Sequence, residues 1–181
     1  MGNSIVVSEL DILYLKLIRE NIKKLMADTA ARFDQPGKQL LDIAPQVHAG
    51  AAEFFKKASI KTLDIDPQSG ASYIADLCVN NEALIPSASF DIIVCTEVLE
   101  HTLNPFHALD EIERILKPGG IAITSTPCNF RIHGPLPDCW RFTEHGLKQL
   151  FKNFVNIEIG TVDTENRDLF PVHYTLIAYK K

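Results

Sequence analysis

Residues 90–101 decide the fold of this chain, and they read FDIIVCTEVLEH. The first half is a nearly unbroken apolar run from Phe90 to Cys95, which is typical of a strand buried on both faces of a sheet. Polar residues follow at once, because Thr96 and Glu97 end the run. A buried strand that ends in polar side chains indicates an open α/β sheet with a ligand site at the carboxyl ends of its strands.

Three other short aliphatic runs repeat this pattern and alternate with helical patterns. The predicted core strands are Gln39–Ile43, Ile60–Ile65, Phe90–Cys95 and Ile121–Ser125. Strands that alternate with helices predict βα units around a buried parallel sheet. The tail differs, because Val155–Val162 and His173–Lys180 alternate or carry β-branched residues. We expect these two segments to close the sheet, with one of them antiparallel.

Helical patterns separate the strands. Apolar residues recur at helical spacing from Glu9 to Ala31, after Ser8 and Asp11, which resemble a capping box. This N-terminal helix could pack on the core, cover the active site or join a homodimer. Further helices are predicted over Ala49–Lys57, from Asn104-Pro105 through Leu116, and from Thr143 to about Lys152.

Length and composition indicate one domain. The 181 residues are 46% hydrophobic, which excludes a disordered chain. We expect a single domain over 1–181, with an N-terminal helical segment at 1–35 and a sheet-containing core at 38–181. A net charge of −5 without a Lys/Arg block argues against binding of duplex nucleic acid.

The sequence also gives an expectation about location. No apolar run reaches the ~20 residues that cross a bilayer, so no transmembrane segment is predicted, and the first residues lack a signal-peptide pattern. The four cysteines form no CxxC pair, which fits free thiols in a reducing compartment. We therefore expect a cytoplasmic protein.

Carboxylates gather at the predicted carboxyl ends of the strands. Asp42 lies at the end of the first strand, Asp64 and Asp66 end the second, and Asp76 follows soon after. Negative charges at this edge repel a pyrophosphate but suit a ligand with hydroxyls, an ammonium group or another positive centre. An aspartate at the end of the second strand can also accept two hydrogen bonds from a ribose diol.

Three stretches carry a resemblance to a known family. Residues 90–101 resemble the fDvVvc.evLEH signature of class I S-adenosylmethionine-dependent methyltransferases, and residues 108–120, ALDEIERILKPGG, resemble their aL.Ei.RvLkPGG helix and turn. Leu63–Pro67 is similar to the end of their second strand, and the matches span about residues 38–151. The resemblance implies a Rossmann-like, doubly wound, seven-stranded, mostly parallel sheet with an antiparallel last strand. It also implies S-adenosylmethionine as the cofactor.

The resemblance assigns cofactor-binding residues one by one. It implies that Asp42 lies near the methionine moiety and that Asp64 binds the ribose, with Asp66 the less favoured register. Asp76 and Leu77 match the pair at the adenine, a carboxylate for the exocyclic amine and a backbone amide for a ring nitrogen. The implied set is Asp42, Ala44, Gln46, Asp64, Ile65, Asp76, Leu77, and, beside the methionine part, Thr96 and Glu97.

The chain departs from the family in the first glycine-rich motif. The family pattern is D/E-x-G-x-G-x-G, in which glycines let the backbone approach the cofactor. Here Ala44, Gln46 and His48 replace the three glycines, and Gly50 lies just beyond them. A shifted cofactor, reduced affinity, or a non-catalytic binding module that kept the fold all stay open. A nicotinamide-dependent oxidoreductase is disfavoured, because no G-x-G-x-x-G follows the first strand.

Two histidines are candidates for a general base. Methyl transfer from a sulfonium needs proximity, orientation and exclusion of water, and a hydroxyl acceptor also needs a base. His101 closes the stretch 90–101, and His133 lies in the loop from Cys128 to Thr143. That loop resembles the H..P.DyyRfT segment of methyltransferases associated with bacterial cell-surface glycan or lipid biosynthesis. The expected acceptor is a small molecule or a sugar- or lipid-linked group, methylated at oxygen or nitrogen.

The same loop allows other interpretations. Asp138 and Arg141 could form an acceptor wall, or could pair to hold the loop with Trp140 packed beneath it. A nucleophilic site made of Cys128, His133 and Asp138 is the weaker alternative, because no motif indicates activation of the thiol.

A metal site is a further alternative. Glu97, Glu100 and His101 resemble the Glu-x-x-Glu-His of metal-dependent small-RNA and quinone-precursor O-methyltransferases. Many relatives carry this stretch without a metal, and a bound sulfonium needs none, so we expect no metal.

Overall fold

A seven-stranded sheet runs through the protein, whose computed structural model describes residues 6–45 and 50–181. Its strands are β1 (Gln39–Ile43), β2 (Ser59–Asp64), β3 (Tyr73–Ile74), β4 (Phe90–Thr96), β5 (Leu116–Pro127), β6 (Val155–Val162) and β7 (His173–Tyr179). They lie in the order β3-β2-β1-β4-β5-β7-β6. Strand β7 pairs antiparallel with both β5 and β6, and the β3-β2-β1-β4-β5 pairs are parallel. The predicted Rossmann-like sheet with an antiparallel last strand is confirmed.

The predicted core strands all form, with two differences at the sheet. Strand β5 begins at Leu116, earlier than predicted, because the turn that ends the preceding helix also pairs with its neighbours. Gly119 donates its N–H to the carbonyl of Lys180 (3.1 Å), and Lys180 donates back to Gly120 (2.8 Å). Strand β3 was not predicted from its own residues, because two residues carry no periodicity.

Within residues 6–45 and 50–181, three α-helices form with the predicted caps. Helix α1 (Glu9–Phe33) carries a complete capping box between Ser8 and Asp11, which confirms the predicted start. Helix α2 (Pro105–Ile115) is capped by the side chain of Asn104, and α3 (Glu144–Leu150) by that of Thr143. Each cap accepts a backbone N–H from the first turn, as small polar N-cap residues do.

The helix predicted over Ala49–Lys57 is wrong in extent. Only a single 3-10 turn, Gly50–Glu53, forms in the described part of this segment. The reason is competition for backbone donors, because both carboxylate oxygens of Asp34 accept N–H groups from residues 56–58 at 2.8–3.1 Å. Those donors are then satisfied outside a helix.

Helices cover both faces of the sheet. Helix α1 packs Leu25 and Met26 onto one face, and α2 and α3 pack onto the other. Arg32 near the end of α1 donates two 2.8 Å hydrogen bonds to Glu158 on β6. This orientation places the middle of α1 over the carboxyl ends of β1 and β4, where it lines a cavity. Among the described residues, no helix is both long and apolar enough to cross a membrane.

Candidate functional site

A cavity of about 560 Å³ lies at the carboxyl ends of β1 and β4, beneath α1. This is the edge at which open α/β sheets bind ligands. Apolar side chains of α1, including Ile18, Ile22 and Met26, form its roof. Its polar wall includes residues from both strand ends and from the segments that follow β4 and β5, namely Asp42, Thr96, Glu97, His101 and His133.

The end of β1 is built around a buried carboxylate. Asp42 is 3% exposed, and its Oδ2 accepts the backbone N–H of Ala51 at 2.6 Å. Burial raises the pKa of Asp42 to about 6, although the hydrogen bond from Ala51 acts in the opposite direction. Gly50 makes this approach possible, because a Cβ at that position would lie 2.3 Å from the carboxylate oxygen. Gly50 is thus a site residue that the sequence prediction did not include.

The loop after β1 keeps a glycine-like shape without the expected glycine. Ala44 has a φ of 50°, in the left-handed region, and donates its N–H to the carbonyl of Leu63 at 2.7 Å. That conformation costs an alanine about 1–2 kcal/mol. Gln46, which the resemblance also assigned to the cofactor, lies outside the described residues.

Replacing Ala44 by glycine is expected to relieve this strain. The gain offsets the larger chain entropy of glycine in the unfolded state, so stability should stay level or rise by up to about 1 kcal/mol. The control is Ala27→Gly in the exposed middle of α1, which should lose about 1 kcal/mol. Urea denaturation of both variants measures the difference, and an equal loss in both would contradict the strain at residue 44.

Replacing Asp42 by asparagine is expected to stabilise the free protein at neutral pH. The folded pKa of about 6 lies above the ordinary 3.8, so the stabilising contribution is complete below pH 3.8 and is lost as pH rises through about 6. Removing the ionisable group should therefore raise the free energy of unfolding by up to about 3 kcal/mol at pH 7, and by little at pH 4. Denaturant titrations at both pH values measure this, and a gain independent of pH would contradict it.

The ends of β2 and β3 place two more predicted carboxylates at the same edge. Asp64 is buried and its Oδ1 accepts the N–H of Asp66 at 2.9 Å, whereas Asp66 itself lies in an exposed turn. Ile65 is exposed, and Asp76 is exposed and caps the N–H of Cys78 at 2.8 Å. Leu77 is buried in the core, and none of the four implied ribose- and adenine-binding residues lines the cavity beneath α1.

The end of β4 carries a carboxylate side chain on a strained backbone. Glu97 has a φ of 54°, and its Oε1 accepts hydrogen bonds from Ser125 Oγ (2.8 Å) and His173 Nε2 (2.7 Å). His173 is fully buried, and its Nδ1 lies 2.9 Å from Nδ2 of Asn21 on α1. His173 and Asn21 were not predicted, because their chain separation from Glu97 leaves no local pattern to detect.

Two imidazoles and a buried carboxylate meet beside Glu97. Glu100 is fully buried, and its Oε1 lies 3.9 Å from Nε2 of His101 and 3.8 Å from Nε2 of His133. That oxygen has no hydrogen-bond partner in the described part of the protein. Burial, followed by the charge of Glu97, raises the pKa of Glu100 well above its usual range. The structure therefore brings the two predicted bases together around one unpaired oxygen.

Each imidazole is oriented by an oxygen atom next to its Nδ1. His101 Nδ1 lies 2.9 Å from the carbonyl of Pro137, which can only accept, so the proton of the neutral ring sits on Nδ1. His133 Nδ1 lies 3.0 Å from Oδ2 of Asp138, although this contact is not linear enough to count as a hydrogen bond. The negative charge of Asp138 favours a proton on that nitrogen as well. Both rings then present the lone pair of Nε2 toward Glu100.

The loop is held in the way that one interpretation predicted. Arg141 forms a two-pronged ion pair with Asp138 and also donates to the carbonyls of Phe130 and Arg131. Burial alone would raise the pKa of Asp138, but the hydrogen bonds from Arg141 and from the backbone of His133 lower it to about 2. Trp140 is 39% exposed rather than packed beneath the loop, and its Nε1 donates to the carbonyl of Thr102 at 2.8 Å.

The nucleophilic alternative is not supported. Burial raises the pKa of the Cys128 thiol, and the charge of Arg141 offsets this only in part. A reactive cysteine needs the opposite shift.

A divalent cation fits the cluster of Glu100, His101 and His133. Their ligand atoms all lie within 4.8 Å of one another, and two imidazoles with one carboxylate are a common donor set. The unpaired Oε1 of Glu100 is the observation that favours the fit, because a buried polar atom without a partner is costly. Glu97 does not join this cluster, since Ser125 and His173 hold its carboxylate.

Comparison with known proteins gives one family match and several partial relatives. A family profile described as "Methyltransferase domain" matches residues 14–154. The ubiquinone biosynthesis O-methyltransferase of Psychrobacter cryohalolentis is 28% identical over 145 residues, which are 69% of this chain and 56% of that protein. The chain therefore spans little more than half the length of this curated relative.

Solved structures share the fold at low sequence identity. The 1,6-didemethyltoxoflavin-N1-methyltransferase of Burkholderia thailandensis, solved with S-adenosylhomocysteine, superposes with a TM-score of 0.65 at 15% identity, over 99% of this chain and 93% of that one. The cyclase SpnF superposes with a TM-score of 0.63 at 15% identity, over 86% and 80% of the two chains. These likenesses show the fold alone, but the family match covers most of the sequence. The chain belongs to the class I S-adenosylmethionine-dependent methyltransferases.

Proposed function

We propose that this chain binds S-adenosylmethionine at the carboxyl edge of its sheet and transfers the methyl group to oxygen or nitrogen of an acceptor. The acceptor is a small molecule or a sugar- or lipid-linked group. The observation that carries the proposal is His133, which lines the cavity with its Nδ1 3.0 Å from Oδ2 of Asp138 and its Nε2 3.8 Å from Oε1 of Glu100. An imidazole held in this way is a general base aimed at a bound acceptor.

The cofactor site is proposed along the strand ends. Asp64 and Asp76 would bind the ribose and the adenine, and Asp42 and Glu97 would face the methionine part. When bound, S-adenosylmethionine supplies an electrophilic methyl group on a positively charged sulfur. Carboxylates around the site suit that charge, and the absence of the usual loop glycines is offset in part by Gly50 and by the left-handed backbone of Ala44.

The chain's own residues then position the acceptor and remove its proton. Ile18, Ile22 and Met26 of α1 roof the cavity, so that water is excluded from the reacting centre. His133 Nε2 would take the proton that the acceptor loses when its oxygen or nitrogen bonds to the methyl carbon, while the methyl–sulfur bond breaks and leaves a neutral thioether. Asp138 stabilises the resulting imidazolium, as a buried carboxylate does behind a catalytic histidine.

The names of similar proteins and the resemblance of one loop support the proposed chemical class of the acceptor. The matched curated relative is named as an O-methyltransferase and a structural neighbour as an N-methyltransferase, so both atoms occur among similar proteins. The resemblance of the loop 128–143 favours sugar- or lipid-linked acceptors. A screen with S-adenosylmethionine labelled at its methyl group tests these classes. Transfer of label to one of them is expected, and cofactor binding without transfer to any would favour the non-catalytic alternative.

A second candidate is a metal-assisted version of the same reaction. Glu100, His101 and His133 would hold the cation, which would supply a Lewis acid for an acceptor oxygen. Calorimetry with Zn²⁺ and with Mg²⁺ tests it on the wild type and on Glu100→Gln. Saturable binding that Glu100→Gln abolishes supports the cation, and heats equal to those of buffer exclude it.

Net charge, free thiols and exposed apolar residues support three further proposals about partners and location. A net charge of −5 disfavours duplex nucleic acid as a partner, and a cytoplasmic location fits the free thiols found in the described chain. The first turns of α1 expose Leu10, Ile12 and Leu13, which offer a surface for a homodimer. Sedimentation of the wild type and of Leu13→Glu tests the dimer, because the charge should shift a dimer toward the monomer.

A further inference from the structure

Glu97 is held differently from the other carboxylates on the cavity wall. Its backbone adopts a left-handed conformation that costs a non-glycine residue energy, and such strain persists only where surrounding contacts fix it. Those contacts are the hydrogen bonds from Ser125 (2.8 Å) and His173 (2.7 Å) to a single carboxylate oxygen. Two side-chain donors on one oxygen fix the position of the carboxylate.

A second contact of the buried His173 ring, with Asn21, sets the direction of the hydrogen bond from His173. The Nδ2 atom of Asn21 can only donate, so Nδ1 of His173, 2.9 Å away, must accept. The proton of the neutral imidazole then lies on Nε2, and the ring donates to Glu97. Since His173 is fully buried, water cannot replace either partner. Helix α1 is thereby linked through β7 to the end of β4.

Asp42, on the same wall of the cavity, is more deeply buried and has fewer hydrogen-bond donors. Its carboxylate is 3% exposed, and it receives one backbone hydrogen bond and no side-chain donor among the described residues. Glu97 retains 22% exposure of its side chain while two side chains hold it. It is therefore the wall carboxylate best arranged to present a fixed negative charge to a ligand in the cavity.

We propose that Asn21 and His173 are positioning residues that hold Glu97 as the counter-charge to the cofactor's sulfonium. The inference rests on the proposed function, because it takes the methionine part of S-adenosylmethionine to lie in this cavity. The methyl donor carries a positive sulfur, whereas its product, S-adenosylhomocysteine, has lost the methyl group and has a neutral thioether, with the rest of the molecule unchanged. A fixed carboxylate distinguishes the two by charge. The cavity thus prefers the methyl donor and releases the product.

The test compares the binding of S-adenosylmethionine and S-adenosylhomocysteine by calorimetry. We expect the ratio of the product's Kd to the donor's Kd to fall roughly tenfold in Glu97→Gln and in His173→Leu, because each change weakens the counter-charge. His173→Gln keeps a side-chain N–H within reach of Glu97, and its ratio should stay within about twofold of the wild type. Melting temperatures identify any variant that has failed to fold.

Two results would overturn the proposal. If His173→Leu weakens both ligands equally, so that the ratio is unchanged, His173 has only a packing role. If ¹⁵N NMR of the free wild type places the ring proton on Nδ1, the hydrogen-bonded link from Asn21 to Glu97 is wrong, whatever the ligands do. The proposed function fails separately, in a wild type that shows the Nε2 proton but binds neither ligand, and the counter-charge role then fails with it.

Discussion

Replacing His133 by alanine is expected to slow methyl transfer by about 10²–10⁴-fold, the usual contribution of a general base. The affinity for S-adenosylmethionine should change by less than about threefold, because the lost interaction is made with the acceptor's proton rather than with the cofactor. The large loss of rate is expected because of where the His133 ring lies. Its Nδ1 lies 3.0 Å from Asp138 and its Nε2 lies 3.8 Å from Glu100.

His101→Ala and His145→Ala are the matched controls for this experiment. His101 has its Nδ1 on a neutral carbonyl, so no carboxylate stabilises an imidazolium from that side, and its loss should cost less than about tenfold. His145 is exposed on α3, and its replacement should leave turnover unchanged. Steady-state rates with the acceptor found in the screen measure all three variants. If neither His101→Ala nor His133→Ala lowered turnover more than a few-fold, general-base catalysis by either residue would be excluded.

Replacing Gly50 by alanine is expected to destabilise the protein by about 2–4 kcal/mol and to weaken cofactor binding at least roughly tenfold. The added Cβ would lie 2.3 Å from Oδ2 of Asp42 and 2.7 Å from Cβ of Pro45, at a φ of 55°. Asp42 cannot move aside freely, because it is buried and accepts the N–H of Ala51. The substitution should thus displace the carboxylate assigned to the methionine part.

The Gly70→Ala variant separates the cost of a left-handed backbone from the cost of the steric contact with Asp42. Gly70 has a φ of 71° but open space around its missing side chain, so alanine there meets the backbone penalty without the contact. We expect about 1–2 kcal/mol of destabilisation and no change in cofactor binding. Equal losses in the two variants would contradict the close approach of Gly50 to Asp42. Denaturant unfolding and calorimetry provide both measurements.

Most of the fold could be predicted from the sequence because its core strands are short apolar runs and its helices carry strong caps. The strands from Gln39, Phe90, Val155 and His173 begin at the predicted residue, and Ser8, Asn104 and Thr143 cap helices as expected. What failed depended on distant partners. The segment after β1 lost its helix to the carboxylate of Asp34, which takes its backbone donors, and no local pattern records that competition.

In the site, too, local patterns could be predicted from the sequence and contacts between distant residues could not. Residues at strand ends, such as Asp42 and Glu97, are visible in sequence because the periodicity places them there. His173 and Asn21 are not visible in this way. His173 lies 76 residues along the chain from Glu97, and Asn21 lies 152 residues from His173, so no local pattern connects them. The likeness of Glu97, Glu100 and His101 to a metal motif also grouped residues that the structure separates. Only tertiary packing decides that Glu97 turns to His173 while Glu100 meets His101 and His133.

Calorimetric titration of S-adenosylmethionine into the wild type, with NAD as the rival ligand, tests whether the carboxyl edge of the sheet binds this cofactor. Asp64→Ala removes the carboxylate assigned to the ribose, and Asp66→Ala is its matched control in an exposed turn. We predict a Kd on the order of micromolar for S-adenosylmethionine, lost in Asp64→Ala, kept in Asp66→Ala, and no binding of NAD. No binding of S-adenosylmethionine at millimolar concentration would mean that this edge does not hold the cofactor, and equal binding by Asp64→Ala would mean that Asp64 does not bind the ribose.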